Sequence, residues 1–387
     1  MIYSISGVAL ASAYSFNGVS INKAYDVSGN EVFSGELPGY ETYPEAIQYA
    51  YQRMMNQYDA ENTVPFALFS DNHSNINSGR IDFFATLKNI ADWTKLWMID
   101  MGDTTNLNSY AEVQSETSGQ LQNVIDKMNS ANIPENRRMQ VWGNHDMWAK
   151  DSENVTYALT DHSWMLSMYF KNTGASRYYD NDFVMFDTAR SIKFIAIGGW
   201  DFDSNLGGHS HYVINGEHME SIITMLSVVD NYDIVLLSHV TPFRKYSSIF
   251  GYNEENDGVG AIGEPTAWST SATYESLADC SIDELIQARK NHTSGTVKDS
   301  YNVSHSYDFT GCNGDILCAL SGHWHKDAYG YSLYGGILHY VFDCYYQAPK
   351  GFYLGLIDKE NAKLKLWKID QVPVVYEYEQ EFEEPSA

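Results

Sequence analysis

Three things are in short supply in this chain of 387 residues. The first is cysteine. Cys280, Cys312, Cys318 and Cys344 are the whole complement, and no CxxC pair occurs. That excludes a cysteine metal framework and leaves ordinary thiols, with room for one disulfide. The second is positive charge. Against 50 Asp+Glu stand 24 Lys+Arg, a net charge of −26. A surface that acidic repels phosphate backbones, so non-specific nucleic-acid binding is not expected. Bound metal cations can still invert the sign of a single pocket. The third is a long apolar run: none approaches the ~18–20 residues that cross a bilayer as a helix. No Lys or Arg precedes Lys23. Ala11, Ser12 and Ala13 imitate a cleavage site, but the charged and apolar parts of a signal peptide are missing. The expectation is a cytoplasmic protein without a membrane span, with a virion- or surface-associated one as the alternative.

What is present is enough apolar sequence for a large core. The chain is 44% hydrophobic and 14% aromatic, which excludes general disorder. At roughly 100–200 residues per domain it holds one large domain with an appendage, or two domains. The beginning repeats with a period of eleven over residues 3–13, 14–24 and 25–35. Tyr3, Tyr14 and Tyr25 open the units, Ile5, Phe16 and Val27 follow, and Gly7, Gly18 and Gly29 come after Ser6, Asn17 and Ser28. Ser-Gly and Asn-Gly mark turns, so each unit reads as strand, turn, strand. Three such units are too small to stand alone. Residues 1–60 are read as a β-rich module and linker that either packs on the main domain or meets an assembly partner. Residues 61–370 are the main domain, and 371–387 an acidic tail, solvated from 376 onward.

Within the main domain, apolar runs at 64–69, 95–99, 139–142, 233–237 and 316–320 read as buried strands. Helical spacing links Leu121, Val124, Ile125 and Met128, and again Met219, Ile222, Ile223, Leu226 and Val229. Residues 180–199 read as a hairpin and 328–369 as further antiparallel strands. The fold class is α/β, with mixed sheets and helices outside. The polar stretch 241–275 reads as one long loop, a length that usually carries function.

Every one of the five strands ends at residues able to hold a metal. Asp71, Asn72 and His73 follow the first, Gly102 and Asp103 the second, and Gly143, Asn144, His145 and Asp146 the third. His239 follows the fourth, and Gly322, His323, Trp324 and His325 the fifth. Ligands in open α/β sheets bind outside the carboxyl ends of strands, so five loops at one edge would bring these side chains together. A further pair, His209 and His211, reads as a surface loop.

In order, these elements are D-x-H, GD, GNH(D/E), a lone His after an apolar strand, and GHxH. The sequence resembles the calcineurin-like metallophosphoesterases over roughly residues 62–358, outside the N-terminal repeats. The resemblance implies a four-layer α/β/β/α sandwich and two divalent metal ions. One would be held by Asp71, His73, Asp103 and His325, the other by Asp103, Asn144, His239 and His323, with Asp103 shared. His and carboxylate ligands suit Mn, Fe, Zn or Ni, with Mn the first guess. The implied activity is hydrolysis of a phosphate monoester or diester by metal-activated hydroxide. His145 would protonate or stabilise the leaving oxygen, and Asp146 would accept from the other ring nitrogen of His145 or simply cap the turn. The sequence departs from the family where Thr104 and Thr105 follow Asp103, in place of a more apolar residue.

The substrate is less legible. Arg80, Arg177 and Arg244 are candidates to clamp a phosphate. Trp148 and Trp324 could stack on a base or sugar, while Trp142, Trp164 and Trp200 are equally suited to core packing. The 241–275 loop is the candidate lid, and the segment around Gly199, Trp200 and Asp201 could also reach the site. Two other readings stand beside the hydrolase: a phage- or surface-associated enzyme acting on an envelope polymer through the N-terminal module, and a non-catalytic scaffold.

Overall fold

The computed structural model describes residues 15–16, 19–20, 23–25, 31–34, 40–73, 83–105, 110–150, 156–158, 171–179, 182–198, 214–243, 246–250, 282–325, 327–332, 336–344, 352–369, 373 and 375–383. For 15–16, 19–20, 23–25, 31–34, 110–118, 147–150, 156–158 and 246–250 it gives the backbone alone. Among the described residues no helix is long and apolar enough to cross a membrane.

The fold is mixed α/β, built on two large sheets. One has six strands in the order Val375–Glu381, Lys363–Ile369, Phe352–Asp358, Thr63–Phe69, Trp97–Asp100, Arg138–Gln140. The last three run parallel and the first four alternate. The other has eight, in the order Ser176–Arg177, Phe183–Asp187, Ile192–Ala196, Asp233–Leu237, Ile316–Ser321, Leu338–Val341, Ala328–Ser332, Tyr246–Phe250. Its four central strands, from Ile192–Ala196 to Leu338–Val341, are parallel.

Side-chain alternation explains how the sheets stack. In Thr63–Phe69 every residue is buried. Phe66 and Leu68 point into an apolar cluster shared with Phe194, Val235, Leu237 and Leu320 of the other sheet. Ala67 and Phe69 point the other way, onto Ile47 and Ala50 of the helix Tyr43–Met55 and Leu87 of Phe83–Ile90. The eight-stranded sheet does the same. Its Ile195, Ile234 and Leu236 meet Met219, Ile222 and Leu226 of the helix Gly216–Leu226 and Leu285 of Ile282–Lys290. Each sheet therefore has one face on its partner and one on helices, and each buried aliphatic or aromatic side chain contributes ~1.5–3 kcal/mol. The helix Gly216–Leu226 starts where Asn215 accepts from the His218 N–H at 2.9 Å, an N-cap that fixes its first turn.

All five expected strands form, and the helices at 121–128 and 219–226 lie within Tyr110–Ser130 and Gly216–Leu226. Four expectations are corrected. Val229 lies past the end of its helix and is 70% exposed. The 241–275 stretch is not a single loop, because Tyr246–Phe250 pairs antiparallel with Ala328–Ser332; residues 251–281 lie outside the described residues. The acidic segment from 376 is not a solvated tail. Val375–Glu381 is an edge strand, and its charges are spent along that edge, Glu377 on Arg53 at 3.0 Å and Glu379 on Lys363 at 2.7 Å. Phe382 then enters the core between the sheets. The described cysteines Cys312, Cys318 and Cys344 are free and buried, so no disulfide joins them. Of the N-terminal repeats, the structure gives two short antiparallel pairs, Ser15–Phe16 with Val19–Ser20 and Lys23–Tyr25 with Glu31–Ser34. The first falls inside one eleven-residue unit, and the second straddles the boundary of the next.

Candidate metal centre

The five strand ends are contributed by both sheets. Thr63–Phe69, Trp97–Asp100 and Arg138–Gln140 of the six-stranded sheet deliver Asp71, His73, Asp103 and Asn144. Asp233–Leu237 and Ile316–Ser321 of the other deliver His239, His323 and His325. The site thus straddles two stacked sheets and not the edge of one.

The loops are tied to one another through backbone and carboxylate. The Asp71 N–H donates to Gly102 O and the His73 N–H to Asp103 O, at 2.9 and 2.8 Å. Gly322 N–H donates to His239 O at 3.0 Å. Asp71 accepts from the His323 N–H on both oxygens, at 3.1 and 3.0 Å, and from Ser70 Oγ. Asp103 Oδ1 accepts from the His145 N–H at 2.8 Å. The approach is so close that a Cβ at Gly143 would collide with Asp103, and one at Gly322 with Ser70; this is the physical reason for glycine in both motifs.

Asp71, His73, Asp103, His323 and His325 all have positive φ, between 44° and 73°. For non-glycine residues this region costs of order 1–3 kcal/mol each. Five of the eleven such residues among the described ones converge on this one cluster, the clustering that functional sites show.

The donor atoms form two groups. Ligand atoms of Asp71, His73, Asp103 and His325 lie within 4.8 Å of one another, and so do those of Asp103, His239 and His323. His325 Nε2 is 3.2 Å from Asp71 Oδ1, His239 Nε2 is 3.3 Å from Asp103 Oδ2, and His73 Nε2 is 3.7 Å from the same oxygen. His239 Nδ1 meets Met101 O at 2.8 Å. A carbonyl can only accept, so Nδ1 carries a hydrogen and Nε2 is the nitrogen turned to the cluster. Among the described residues, His239 Nε2, Asn144 Oδ1 and Asn72 Oδ1 in these loops are buried without a hydrogen-bond partner. Orphaned buried polar atoms are rare and call for a missing partner. The donor set and these orphans fit divalent metal ions.

The electrostatics agree. Burial alone would push the Asp71 carboxyl up, but His239 and His325 bring it down to about 2. Asp103 is likewise held well below its ordinary value by His239 and His145 against its burial. Burial pushes His323 down to about 3 and His73 to about 4, which keeps both rings neutral. Burial also works against charge on His239, yet Asp103 and Asp71 raise it to about 10. Two buried carboxylates are thus demanding positive charge, and in the absence of cations the imidazoles must provide it.

The remaining candidates divide. His145 is half-buried beside the cluster, its ring edge-on to His73 with centroids 4.5 Å apart. Asp146 does not act through the His145 ring. Its oxygens accept from the N–H groups of Gly143 at 2.9 Å, Thr105 at 2.9 Å and Thr104 at 3.3 Å, and from the Thr105 hydroxyl at 3.1 Å. It ties the Asp103 turn to the Asn144 turn, with Thr104 and Thr105 among its partners. Thr104 Oγ1 donates onward to Asp100 Oδ2 at 2.8 Å. Arg177 is exposed on an outermost strand and bonds the Lys171 carbonyl, away from the cluster. Trp142 is a core residue, and Trp324 packs partly on the same core. Arg80, Arg244, Trp164, Trp200, Asp201, His209, His211 and the Trp148 side chain lie outside the described residues. Sequence reasoning missed Ser70, Ser238, Ser321 and His339. The available signal was a histidine in the wholly buried strand Leu338–Val341, which must find polar partners.

No protein-family model and no curated protein matches the chain. Among solved structures, the chain is similar to one described as "GAP50 the anchor in the inner membrane complex of Plasmodium", at TM-score 0.37 and 11% identity, covering 84% of this chain and 90% of that one. That likeness is too distant to bear on fold or function.

Proposed function

We propose that this protein is a dinuclear metal-dependent hydrolase of phosphate esters with the calcineurin-like sandwich architecture. One observation carries the reading: two groups of His and Asp ligand atoms meet at a shared Asp103. An anionic bridge is what two divalent cations ~3.5–4 Å apart require. The stacking of two sheets between helices supports the architecture, and the unpartnered Asn144 Oδ1 supports Asn144 as a further ligand.

When bound, the ions would supply positive charge for phosphoryl oxygens and an activated water. Asp71, His73, Asp103 and His325 would hold one, and Asp103, Asn144, His239 and His323 the other. The chain's own residues do the rest. Asp103 is positioned by the His145 N–H and Asp71 by the His323 N–H, so each carboxylate is set by a neighbouring motif. His145 stands at the rim, where an imidazole nitrogen can give its proton to a leaving oxygen. Mn is the first guess for the metal, and the ester is a monoester or a diester.

The test is hydrolysis of paired chromogenic mono- and diester phosphates by Mn-loaded protein, with Asp103→Asn alongside. The expected result is hydrolysis by the wild type and its loss in the variant. No hydrolysis together with no bound metal overturns the reading.

A further inference from the structure

Behind the loops that carry His239 and His323 runs a chain of polar side chains with no place in the ligand set. His339, on Leu338–Val341, is fully buried. Its Nε2 lies 2.9 Å from Ser321 Oγ and its Nδ1 3.4 Å from Thr241 Oγ1. Ser321 Oγ is 3.4 Å from Ser238 Oγ, which donates to Val240 O at 2.6 Å. Ser238 and Thr241 flank His239 in sequence, and Ser321 is two residues before His323.

Carbonyls fix both ends of this chain: the Ser238 hydroxyl donates to Val240 O at 2.6 Å and the Thr241 hydroxyl to Phe243 O at 3.2 Å. Ser321 and His339 carry the contacts between those ends. Burial pushes this imidazole down to about 3, which keeps it neutral. A buried histidine is costly unless its polar atoms are paired; here both nitrogens are committed, one to each ligand-bearing loop.

We propose that His339 is a positioning residue that bridges the His239 and His323 loops and sets the ligand geometry for one of the two ions. This rests on the dinuclear reading above. Outer partners of metal ligands typically tune affinity by ~10–100-fold.

The experiment is a calorimetric titration of the metal-free full chain with Mn2+, resolving two binding steps. The step assigned to His239 and His323 is the one removed by His323→Ala. In His339→Phe that step is expected to weaken by ~10–100-fold, while the step held by Asp71, His73 and His325 stays within about threefold. His339→Gln, which keeps a donor and an acceptor, is expected to recover most of the affinity. If His339→Phe does not fold, as judged by circular dichroism, Ser321→Ala carries the same comparison. Equal weakening of both steps, or no weakening of either, overturns this inference alone. A wild type that takes up no second ion overturns the dinuclear reading and this inference with it.

Discussion

His73 and His325 face each other through their Nε2 atoms, 3.1 Å apart. Two imidazole lone pairs at that distance repel, so a proton or a cation must lie between them or draw on both. Burial disfavours a proton on His73. At His325 the hydrogen bond and charge of Asp71 outweigh burial and favour a proton, which a bound cation would replace. At a free Mn2+ concentration about one hundred times Kd, binding should add about 2.7 kcal/mol for each ion. Differential scanning calorimetry should then show Tm rising by ~5 °C or more, reversed by EDTA. Asp103→Asn, which touches both groups, should abolish most of the increase. A Tm indifferent to metal would count against the centre.

Asp146 is a tie between loops, and its removal should be felt as stability. Asp146→Ala leaves three buried N–H groups without an acceptor, at a cost of ~1–3 kcal/mol each before relaxation. Urea unfolding should show a loss of about 3 kcal/mol or more. Thr105→Val should be strongly non-additive with it in a double-mutant cycle. A variant with unchanged stability and lost hydrolysis would instead restore the role of orienting His145.

Lys368 is a buried cation between two carboxylates, 2.6 Å from Asp327 and 2.8 Å from Asp343. Asp327 also accepts from Tyr353 OH at 2.6 Å. The cluster joins the last strands of the six-stranded sheet to the segment just after His325. Lys368→Met leaves two buried carboxylates uncompensated and should destabilise by ~3–5 kcal/mol in denaturant unfolding. An unchanged midpoint would show that the carboxylates find water or protons at little cost.

His305 links the hairpin Ser294–Lys298 and Ser304–Asp308 to the helix Gly216–Leu226. Burial works against its charge, but Glu220 at 2.6 Å and Asp299 at 3.0 Å outweigh it and raise its pKa above the ordinary value. The folded state then holds this proton more tightly than the unfolded one. The stabilisation is complete below a pH of about 6.5, the unfolded value, and is lost as pH rises through the folded pKa. The difference in Tm between wild type and His305→Gln should shrink from pH 6 to pH 9. A constant difference would show that the imidazole contributes by packing alone.

The convergence of Asp71, His73, Asp103, His239, His323 and His325 is legible because each motif sits where an apolar run stops. Leu68 and Phe69 give way to Asp71, and Leu236 and Leu237 to His239; that local contrast is all a strand end needs. The division of the ligands between two sheets was not legible, since nothing local to Asp103 or His239 says which strand lies beside which. His339 was hidden for a similar reason, as its partners lie 18 and 98 residues away in sequence. The edge strand at 375–381 was misread because its glutamates suggested solvent. Those charges line a sheet edge, where they also discourage a foreign strand from adding.

The placement of Phe352–Asp358 beside Thr63–Phe69 has a consequence for synthesis. The strand that carries Asp71 and His73 waits for its antiparallel neighbour across about 280 residues. At ~5–20 residues per second, a translating ribosome leaves that apolar edge open for roughly 15–60 s. Thr63–Phe69, apolar at Val64, Phe66, Leu68 and Phe69, is exposed in that interval, an edge another nascent chain can pair with everywhere but at Pro65, which has no N–H to give. Chains ending before Phe352 should therefore accumulate in the insoluble fraction, and the full chain should depend on chaperone capacity during expression more than its finished stability would suggest.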